Sequence, residues 1–491
     1  MKYLLGIDIG SSSVKTALLE IESGKTVASA FSPSSEMSML SPQAGFAEQD
    51  PDMWWNEMIN ALNKMRQQVS FGSDEVAAIG IAYQMHGLVC VDKDLKPLRP
   101  SIIWCDSRAV KIGEKAFKDL GEKFCLKNFL NSPGNFTASK LKWVQKNEPE
   151  LYRKIYKVML PGDYIALKLT GEPATTISGL SEGILWNFKK EKIADDLLKY
   201  HKINDELLSP LVPTFGEQGS LTEYSAKELG LTSGIPVTYR AGDQPNNAFS
   251  LNVSEPGEVA ATAGTSGVVY GIIDKPEYDP ASRVNTFVHV NHTKKQHRYG
   301  VLLCVNGTGI LNSWLRKNFF SDLNYEQMNI EAAAIVPGAD GLLFYPFGNG
   351  AERVLENNDP GASMKGLQFN RHHRGHIARA AQEGIVFALQ YGIEIMKDMG
   401  MKIKTVRAGH ANMFLSEVFS NAFVNTTGCE LELYNTDGAS GAARGAGIGA
   451  GIFKNVAEAY ASMEKIKTYS PDKELQKIYA SVFANWKKQM N

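Results

Sequence analysis

Short apolar runs separated by turns of small residues open the chain. Their lengths and their Gly- and Ser-rich boundaries predict an antiparallel meander of three strands, at residues 3–9, 14–19 and 26–31. The first two strands are joined by the turn at residues 10–13, which contains one Gly and three Ser. A polar residue, Asp8, interrupts the first run just before that turn.

Helical periodicity follows the meander. It predicts helices at residues 53–65, 138–147 and 149–156, and a continuous apolar run predicts a buried strand at residues 76–83. Strands that alternate with helices in this way are typical of an α/β fold.

The second half of the chain repeats the opening pattern. Apolar runs predict strands at residues 236–241, 258–263 and 268–273, and the turn 264–267 again consists of Gly, Thr and Ser. Helices are expected near residues 382–399 and 416–426 and after Pro471. The repeat predicts a duplicated α/β domain with a deep cleft between the copies, with residues 1–250 in one domain and 251–491 in the other.

Size and composition narrow the class of protein. A chain of 491 residues is too long for one core, and its formal net charge of -1 provides no overall field for nucleic acid or acidic lipid. The first apolar run is too short for a signal peptide, and no run approaches the ~18 apolar residues of a membrane span. The five cysteines form no CxxC pair. We expect a cytoplasmic protein with reduced thiols.

The two small-residue turns are candidate phosphate sites. A hairpin tip of Gly, Ser and Thr exposes backbone N–H groups and hydroxyls that can surround phosphate oxygens. A single turn of this kind is usually a plain surface turn, but here the motif occurs twice. The candidates are Ser11, Ser12, Gly264 and Thr265.

Two carboxylates stand where predicted strands end. Phosphoryl transfer needs Mg²⁺, accurate placement and a base for the hydroxyl proton. Asp243 is the candidate base, and Asp8 is the candidate Mg²⁺ partner, acting through water because Mg²⁺ retains several waters. The alternative is that each Asp only caps a turn.

Two further stretches contain side chains suited to a sugar. His86 can hydrogen-bond a hydroxyl, and Met85 can form a soft wall beside it. Trp104, Asp106 and Arg108 also suit a polyol, although they could equally form a salt bridge within a loop. The histidines of residues 372–376 lack an acidic partner at metal-ligand spacing, so they predict a helix start and not a metal site.

Together these motifs resemble the FGGY family of carbohydrate kinases, and most of all its xylulokinase branch. The resemblance rests on their order along almost the whole chain: residues 8–15, 48–55, 84–87, 104–108, 160–164, 242–244 and 264–267. It implies two ribonuclease-H-like domains of the actin, hexokinase and Hsp70 type, and ATP-dependent phosphorylation of D-xylulose at its terminal hydroxyl. ATP and Mg²⁺ are the expected cofactors, and a homodimer is a further expectation.

The resemblance also assigns roles to individual positions. Asp243 would accept the proton and Asp8 would serve Mg²⁺. The sugar site would be lined by Met85, His86 and Gln244, with Trp104 and Asp106 beside them. The nucleotide would lie along Ser11, Ser12, Lys15, Gly264, Thr265, Gly309, Ser313, Gly409 and Asn412.

Several alternatives stay open. The family usually has a Gly-Gly-Gly-Ala type of adenine loop, whereas residues 409–412 are Gly, His, Ala and Asn. This departure raises the alternative of a catalytically silent sugar-binding protein. An actin- or chaperone-like ATPase is a third hypothesis. Within the kinases, ribulose, fuculose, rhamnulose or glycerol are the alternative substrates.

Overall fold

A computed structural model describes residues 2–490 of the protein. Two large mixed sheets form its framework. The strands of the first sheet are β1 (Tyr3–Ile9), β2 (Val14–Glu20), β3 (Thr26–Ser32), β5 (Val76–Tyr83) and β11 (Val237–Gly242). The strands of the second are β12 (Val259–Ala263), β13 (Gly267–Ile273), β14 (Asn285–Val288), β15 (Tyr299–Val305), β18 (Thr405–Gly409), β19 (Glu430–Tyr434) and β20 (Lys465–Tyr469).

Short strand pairs complete the β-structure. They are β4 (Glu48–Gln49) with β7 (Ser101–Ile102), β6 (Val89–Val91) with β8 (Lys157–Met159), β9 (Trp186–Asn187) with β10 (Lys192–Ile193), and β16 (Leu343–Tyr345) with β17 (Ser363–Lys365).

Helices surround both sheets. They are α1 (Pro51–Arg66), α2 (Val110–Leu120), α3 (Glu122–Phe129), α4 (Thr137–Asn147), α5 (Pro149–Tyr152), α6 (Pro161–Thr170), α7 (Ile177–Glu182), α8 (Asp195–His201), α9 (Glu223–Leu229), α10 (Asp243–Ser250), α11 (Gly309–Phe319), α12 (Tyr325–Ala333), α13 (Arg374–Asp398), α14 (Glu417–Thr427), α15 (Gly438–Gly449), α16 (Val456–Ala459) and α17 (Lys473–Met490).

The two sheets share one topology. The first has the order β11-β5-β1-β2-β3, in which β1, β2 and β3 form an antiparallel meander and β5 and β11 add in parallel on the other side of β1. Written in the same direction, the second has the matching core order β19-β18-β12-β13-β15, with β20 and β14 added at its edges. This confirms the predicted duplicated α/β fold.

A helix from the C-terminal half packs on the first sheet. Helix α15 is built of Gly, Ala and Ser apart from one Arg and one Ile, and it lies across β1, β5 and β11. The approach is so close that a Cβ on Gly6 would overlap the carbonyl oxygen of Ala439, and a Cβ on Gly80 would overlap that of Ala442. The small residues therefore allow chain segments far apart in sequence to build one lobe.

Most predicted elements lie within one or two residues of the observed ones. One helix is wrong in length: the helix predicted at residues 149–156 ends at Tyr152, and β8 follows from Lys157. Helix α13 begins eight residues before the predicted start, at Arg374, where the His373 side chain accepts a hydrogen bond from the Gly375 N–H. The 372–376 histidines thus lie at a helix start, as predicted. Within residues 2–490, no helix is long and apolar enough to cross a membrane.

Candidate active site

The strand order of the first sheet brings the two predicted acids to one edge. Asp8 lies in β1 opposite Ala82 of β5, which pairs in turn with Ala241 of β11. Asp243 follows two residues later as the first residue of α10. Because all three strands run parallel, their carboxyl ends meet at one edge, and β1 and β11 are about 10 Å apart.

Burial changes the titration of both acids. Burial, with the negative charge of Asp8 in support, raises the pKa of the Asp243 carboxyl to about 7. Burial also raises the pKa of the Asp8 carboxyl to about 6. The Lys15 ammonium opposes this rise, and the Asp437 carboxylate adds to it. A carboxylate whose pKa lies near neutral pH is well matched to taking a proton from an alcohol.

The chain segment that follows strand β19 of the second sheet reaches Asp8. This strand leads to Asp437, whose side chain caps the start of α15, and the following Gly438 lies directly against the Asp8 carboxylate. The Asp8 carboxylate therefore lies against the start of α15. Among residues 2–490, no three His, Cys, Asp or Glu side chains converge to hold a metal ion directly.

The first small-residue turn is held from several sides. Ser11 accepts a hydrogen bond from Gln49 Nε2 on its carbonyl (2.7 Å) and one from Trp104 Nε1 on its Oγ (3.3 Å). The Ser12 carbonyl accepts from the Met37 N–H at 2.8 Å. The Ser12 and Lys15 side chains are exposed, so the turn is fixed through two carbonyls and the Ser11 hydroxyl while the Ser12 hydroxyl stays accessible.

The second small-residue turn is joined to the start of α11. The Gly309 N–H donates to the Gly264 carbonyl at 2.8 Å, and the Ile310 N–H donates to the Thr265 carbonyl at 3.2 Å. A Cβ at position 309 would overlap the Gly264 carbonyl oxygen, so this contact requires glycine. Ser313 lies one helical turn further along α11.

The predicted adenine loop adjoins this turn. Gly409 ends β18, and residues 410–412 after it are exposed. Asn412 has a left-handed backbone, with φ of 54°, and its amide nitrogen lies 3.6 Å from where a Cβ of Gly264 would be. The structure thus brings the predicted nucleotide residues of the second half, from Gly264 to Asn412, into one neighbourhood.

His86 is neutral, and its tautomer is defined. Burial lowers the pKa of its imidazole to about 3, and the nearby Lys140 ammonium lowers it too. Its Nδ1 lies 2.9 Å from the Glu182 carbonyl oxygen, which can only accept a hydrogen bond. Nδ1 therefore carries the proton, and Nε2 is left as an acceptor for a hydroxyl.

Met85 and Gln244 both adjoin the segment formed by Gly242 and Asp243. Met85 is buried and packs against Gly242, and Gln244 follows Asp243 in α10. The second sheet completes the wall, because the Phe287 ring of β14 lies 5.4 Å from the His86 ring. Met85, His86 and Gln244 therefore lie near the start of α10, with the Phe287 ring beside His86.

Trp104 and Asp106, which were both predicted to lie beside the sugar, have different surroundings. Trp104 is 48% exposed and reaches the first turn through Ser11. The Asp106 carboxylate is fully buried and accepts hydrogen bonds from the Ala47 N–H (2.6 Å) and from Arg108 Nε (2.8 Å). Asp106 thus forms the loop salt bridge that the sequence left as an alternative to a polyol contact.

Two buried charged residues near the site were missed by sequence reasoning. Glu182 is 1% exposed, its carboxyl lies against Gly242, and burial with the charge of Asp243 raises its pKa well above the usual value. Lys140 is fully buried in α4. For Glu182 the available signal was one charged residue among neighbours that are apolar or small, which is the pattern of a buried charge.

Family models match both halves of the chain. The N-terminal domain of the FGGY family of carbohydrate kinases matches residues 3–250, and its C-terminal domain matches residues 259–452. The xylulose kinase of Bacillus subtilis strain 168 is 30% identical over 501 aligned residues, which cover 99% of this chain and 98% of the relative. The xylulose kinase of Escherichia coli K12 is 31% identical, with 97% and 96% covered.

Solved structures have the same fold. Ligand-bound xylulose kinase from Lactobacillus acidophilus superposes with a TM-score of 0.90 at 23% identity, covering 99% of this chain and 97% of that one. Gluconate kinase from the same organism gives 0.89 at 23% identity, covering 99% and 97%. Plasmodium falciparum glycerol kinase with ADP gives 0.87 at 21% identity, covering 100% and 98%. The fold is therefore the two-domain α/β fold of these kinases, as the sequence predicted.

The duplicated sheets, the two acids at one edge and the matches to both domain models over most of the chain agree with one another. The protein belongs to the FGGY family of carbohydrate kinases.

Proposed function

We propose that this carbohydrate kinase transfers the γ-phosphate of ATP to the terminal hydroxyl of D-xylulose and releases D-xylulose 5-phosphate and ADP. The observation that carries the proposal is the position of the Asp243 carboxylate at the same sheet edge as Asp8, where burial and the charge of Asp8 raise its pKa to about 7. The curated relatives named xylulose kinase support the choice of sugar.

In the proposed step, Asp243 acts as the general base. Its carboxylate takes the proton of the sugar hydroxyl, whose oxygen forms a new bond to the γ-phosphorus. The bond between that phosphorus and the oxygen bridging to the β-phosphate breaks, and ADP leaves with the electron pair. Closure of the two lobes would exclude water, which otherwise competes as the acceptor.

The sugar would lie between Met85, His86 and Gln244. His86 Nε2 would accept a hydrogen bond from one hydroxyl, because Nδ1 already donates to Glu182. Trp104 would border the site near the first turn. The two lobes of the cleft would correspond to residues 1–250 and 251–491, with α15 of the second contributing to the first.

The nucleotide would follow the residues that the family resemblance assigns to it. Backbone N–H groups and hydroxyls of Ser11, Ser12, Gly264 and Thr265 would face the phosphates, with Lys15 nearby. The rest of the nucleotide would extend along Gly309, Ser313, Gly409 and Asn412.

The Asp8 carboxylate suits Mg²⁺, which prefers oxygen ligands, and the ion would be held through water because no direct three-residue cage exists in residues 2–490. When bound, Mg²⁺ would neutralise phosphate charge.

A substrate panel tests the choice of sugar. ADP release is measured with D-xylulose, D- and L-ribulose, fuculose, rhamnulose, gluconate and glycerol, and the product of the preferred sugar is assigned by ³¹P NMR. We expect the highest kcat/KM with D-xylulose and a phosphate ester on its terminal carbon. A higher kcat/KM with another polyol would reject D-xylulose as the substrate while preserving the kinase.

Another ketose or polyol is the second candidate, and one observation favours it. Asp106, a predicted sugar ligand, has both carboxylate oxygens engaged by Ala47 and Arg108. The sugar site therefore has fewer free polar groups than the resemblance implied. An absence of turnover with every panel member, with ATP still bound, would instead support the silent sugar-binding protein.

A further inference from the structure

Lys140 links the two loops that carry the predicted sugar residues. It lies in α4 and is fully buried. Its Nζ donates to the His86 carbonyl at 2.8 Å and to the Ile103 carbonyl at 2.9 Å. The first carbonyl belongs to the loop after β5, and the second directly precedes Trp104. The two segments are 17 residues apart in the chain and pair through the backbones of Leu88 and Ile102, and the Lys140 side chain adds a second link on the His86 and Ile103 carbonyls.

The His86 end of this link is conformationally demanding. His86 has a left-handed backbone with φ of 62°, which a residue with a side chain adopts only when its surroundings impose it. Lys140 holds its carbonyl, and the Glu182 carbonyl holds its Nδ1. The ring is therefore fixed from both its backbone and its side chain, with Nε2 left free.

A buried ammonium is a costly way to satisfy two carbonyls. Burial lowers the pKa of the Lys140 ammonium to about 7, with the charges of Asp106 and Glu182 acting in the other direction. An apolar side chain would avoid this cost but would leave both carbonyls unpaired. The free-energy cost of burying the Lys140 ammonium is accounted for if the sugar site requires the two loops to hold their positions.

We propose that Lys140 is a positioning residue that fixes His86 and the Trp104 loop in the geometry needed to bind the sugar. The inference rests on the proposed function of the His86 region as the sugar site. Lys140 lies behind these loops and would not touch the sugar itself.

The matched test compares two lysines of the same helix. Lys140→Met keeps the unbranched shape and removes the donors. Lys142→Met is the control, because the Lys142 Nζ also donates to a carbonyl, that of His201 at 2.8 Å, but on another side of the helix. Kinetics are measured for the sugar and for ATP on the intact protein, with thermal stability recorded for each variant.

We expect Lys140→Met to lower kcat/KM for the sugar by about 10- to 100-fold, because small displacements of binding groups have effects of that size. KM for ATP should change less than about twofold. Lys142→Met should leave both parameters within about twofold. Equal effects of the two substitutions, or an equal rise in KM for sugar and ATP, would overturn the inference in favour of a purely structural role.

A rescue experiment separates positioning from folding. Lys140→Ala leaves room for a small primary amine, and added n-propylamine should restore part of the sugar kcat/KM, while n-propanol should not. Lys140→Arg retains donors and should fall between wild type and Lys140→Met. If the Met variant fails to fold, these two variants decide. No rescue by the amine, together with an equal loss of sugar and ATP kinetics in Lys140→Arg, contradicts the inference.

The outcome is distinguishable from failure of the proposed function. If the wild type phosphorylates no sugar on the panel, the proposed function falls. The positioning role is then judged by hydrogen exchange. Lys140→Met should speed amide exchange at residues 84–88 and 103–106 by about 10-fold relative to Lys142→Met, and equal exchange in the two variants would overturn it.

Discussion

The two sheets have the same strand order but present different chemistry at their carboxyl edges. The first sheet ends in two half-buried carboxylates, Asp8 and Asp243, whose pKa values are raised to about 6 and about 7. The second ends in the small-residue turn that begins at Gly264 and in an exposed loop at residues 410–412. The shared topology therefore provides two equivalent platforms, and the residues at the strand ends determine that one suits proton transfer and the other suits a nucleotide.

Removing the acid of the first edge should have the largest effect. Asp243→Asn keeps the shape of the side chain but cannot accept the hydroxyl proton, so kcat should fall by about 10³-fold. ATP affinity, measured by calorimetry, should change little because the nucleotide residues belong mainly to the other edge. The control is Asp196→Asn, at a half-exposed acid that pairs with Lys190, and it should retain wild-type kcat. An unchanged kcat in Asp243→Asn would refute Asp243 as the base.

A change at the second edge should act on ATP instead. Gly309→Ala would push α11 away from Gly264, because the new methyl group overlaps the Gly264 carbonyl. We expect KM for ATP to rise by about 10- to 100-fold and the melting temperature to fall.

Gly264→Ala is the comparison for this substitution. Its Cβ would make only an ordinary 3.6 Å contact with Asn412, so KM for ATP should rise with little loss of stability. A rise in KM for the sugar, with KM for ATP unchanged in both variants, would contradict the division between the edges.

The pH dependence of kcat should report the charge coupling at the first edge. Because the base must be ionised, and its pKa is about 7, kcat should rise about tenfold per pH unit below pH 7 and level off above it. Asp8→Asn removes a negative charge that raises this pKa, so the acid limb of its remaining activity should move to lower pH. A limb near the ordinary Asp pKa of 3.8 in the wild type would contradict the burial of Asp243.

The free energy of unfolding should also depend on the ionisation of Asp243, with a smaller effect than the one on kcat. Since the folded protein raises the pKa of Asp243, stability from this group is fully present below the unfolded pKa of 3.8 and is lost as pH rises through about 7. Asp243→Asn, which cannot ionise, should therefore melt about 3 °C above the wild type at pH 8. This advantage should shrink at pH 5, as followed by calorimetry, and a variant less stable at pH 8 than at pH 5 relative to the wild type would count against it.

Local signals in the sequence predicted much of the framework. Strands β1 and β5 were predicted to the residue, because each is a mainly apolar run bounded by polar or small residues. The repeat of two small-residue turns predicted the shared topology. The sequence predicted that Asp8 and Asp243 stand at strand ends, but only the fold shows that β1, β5 and β11 run parallel and bring both acids to one edge.

Long-range contacts were not predictable in this way. The Gly- and Ala-rich composition of α15 gives no sign that it packs on β1, more than 400 residues away in the chain. The partner of Asp106 could have been a sugar or Arg108, and only the folded loop decides between them. Lys140 and Glu182 depend on carbonyls and side chains from distant segments, so their place near the site appears only in three dimensions.

The central claim is that the Asp243 edge directs the γ-phosphate of ATP to a sugar hydroxyl. It is tested most directly by ADP release from ATP, measured with and without D-xylulose on the same preparation. The account predicts slow release without sugar and an increase of about 10²-fold or more when the sugar is saturating, because a bound hydroxyl then replaces water as the acceptor. Rapid ADP release that sugar does not change, as in an actin- or chaperone-like ATPase, would contradict it.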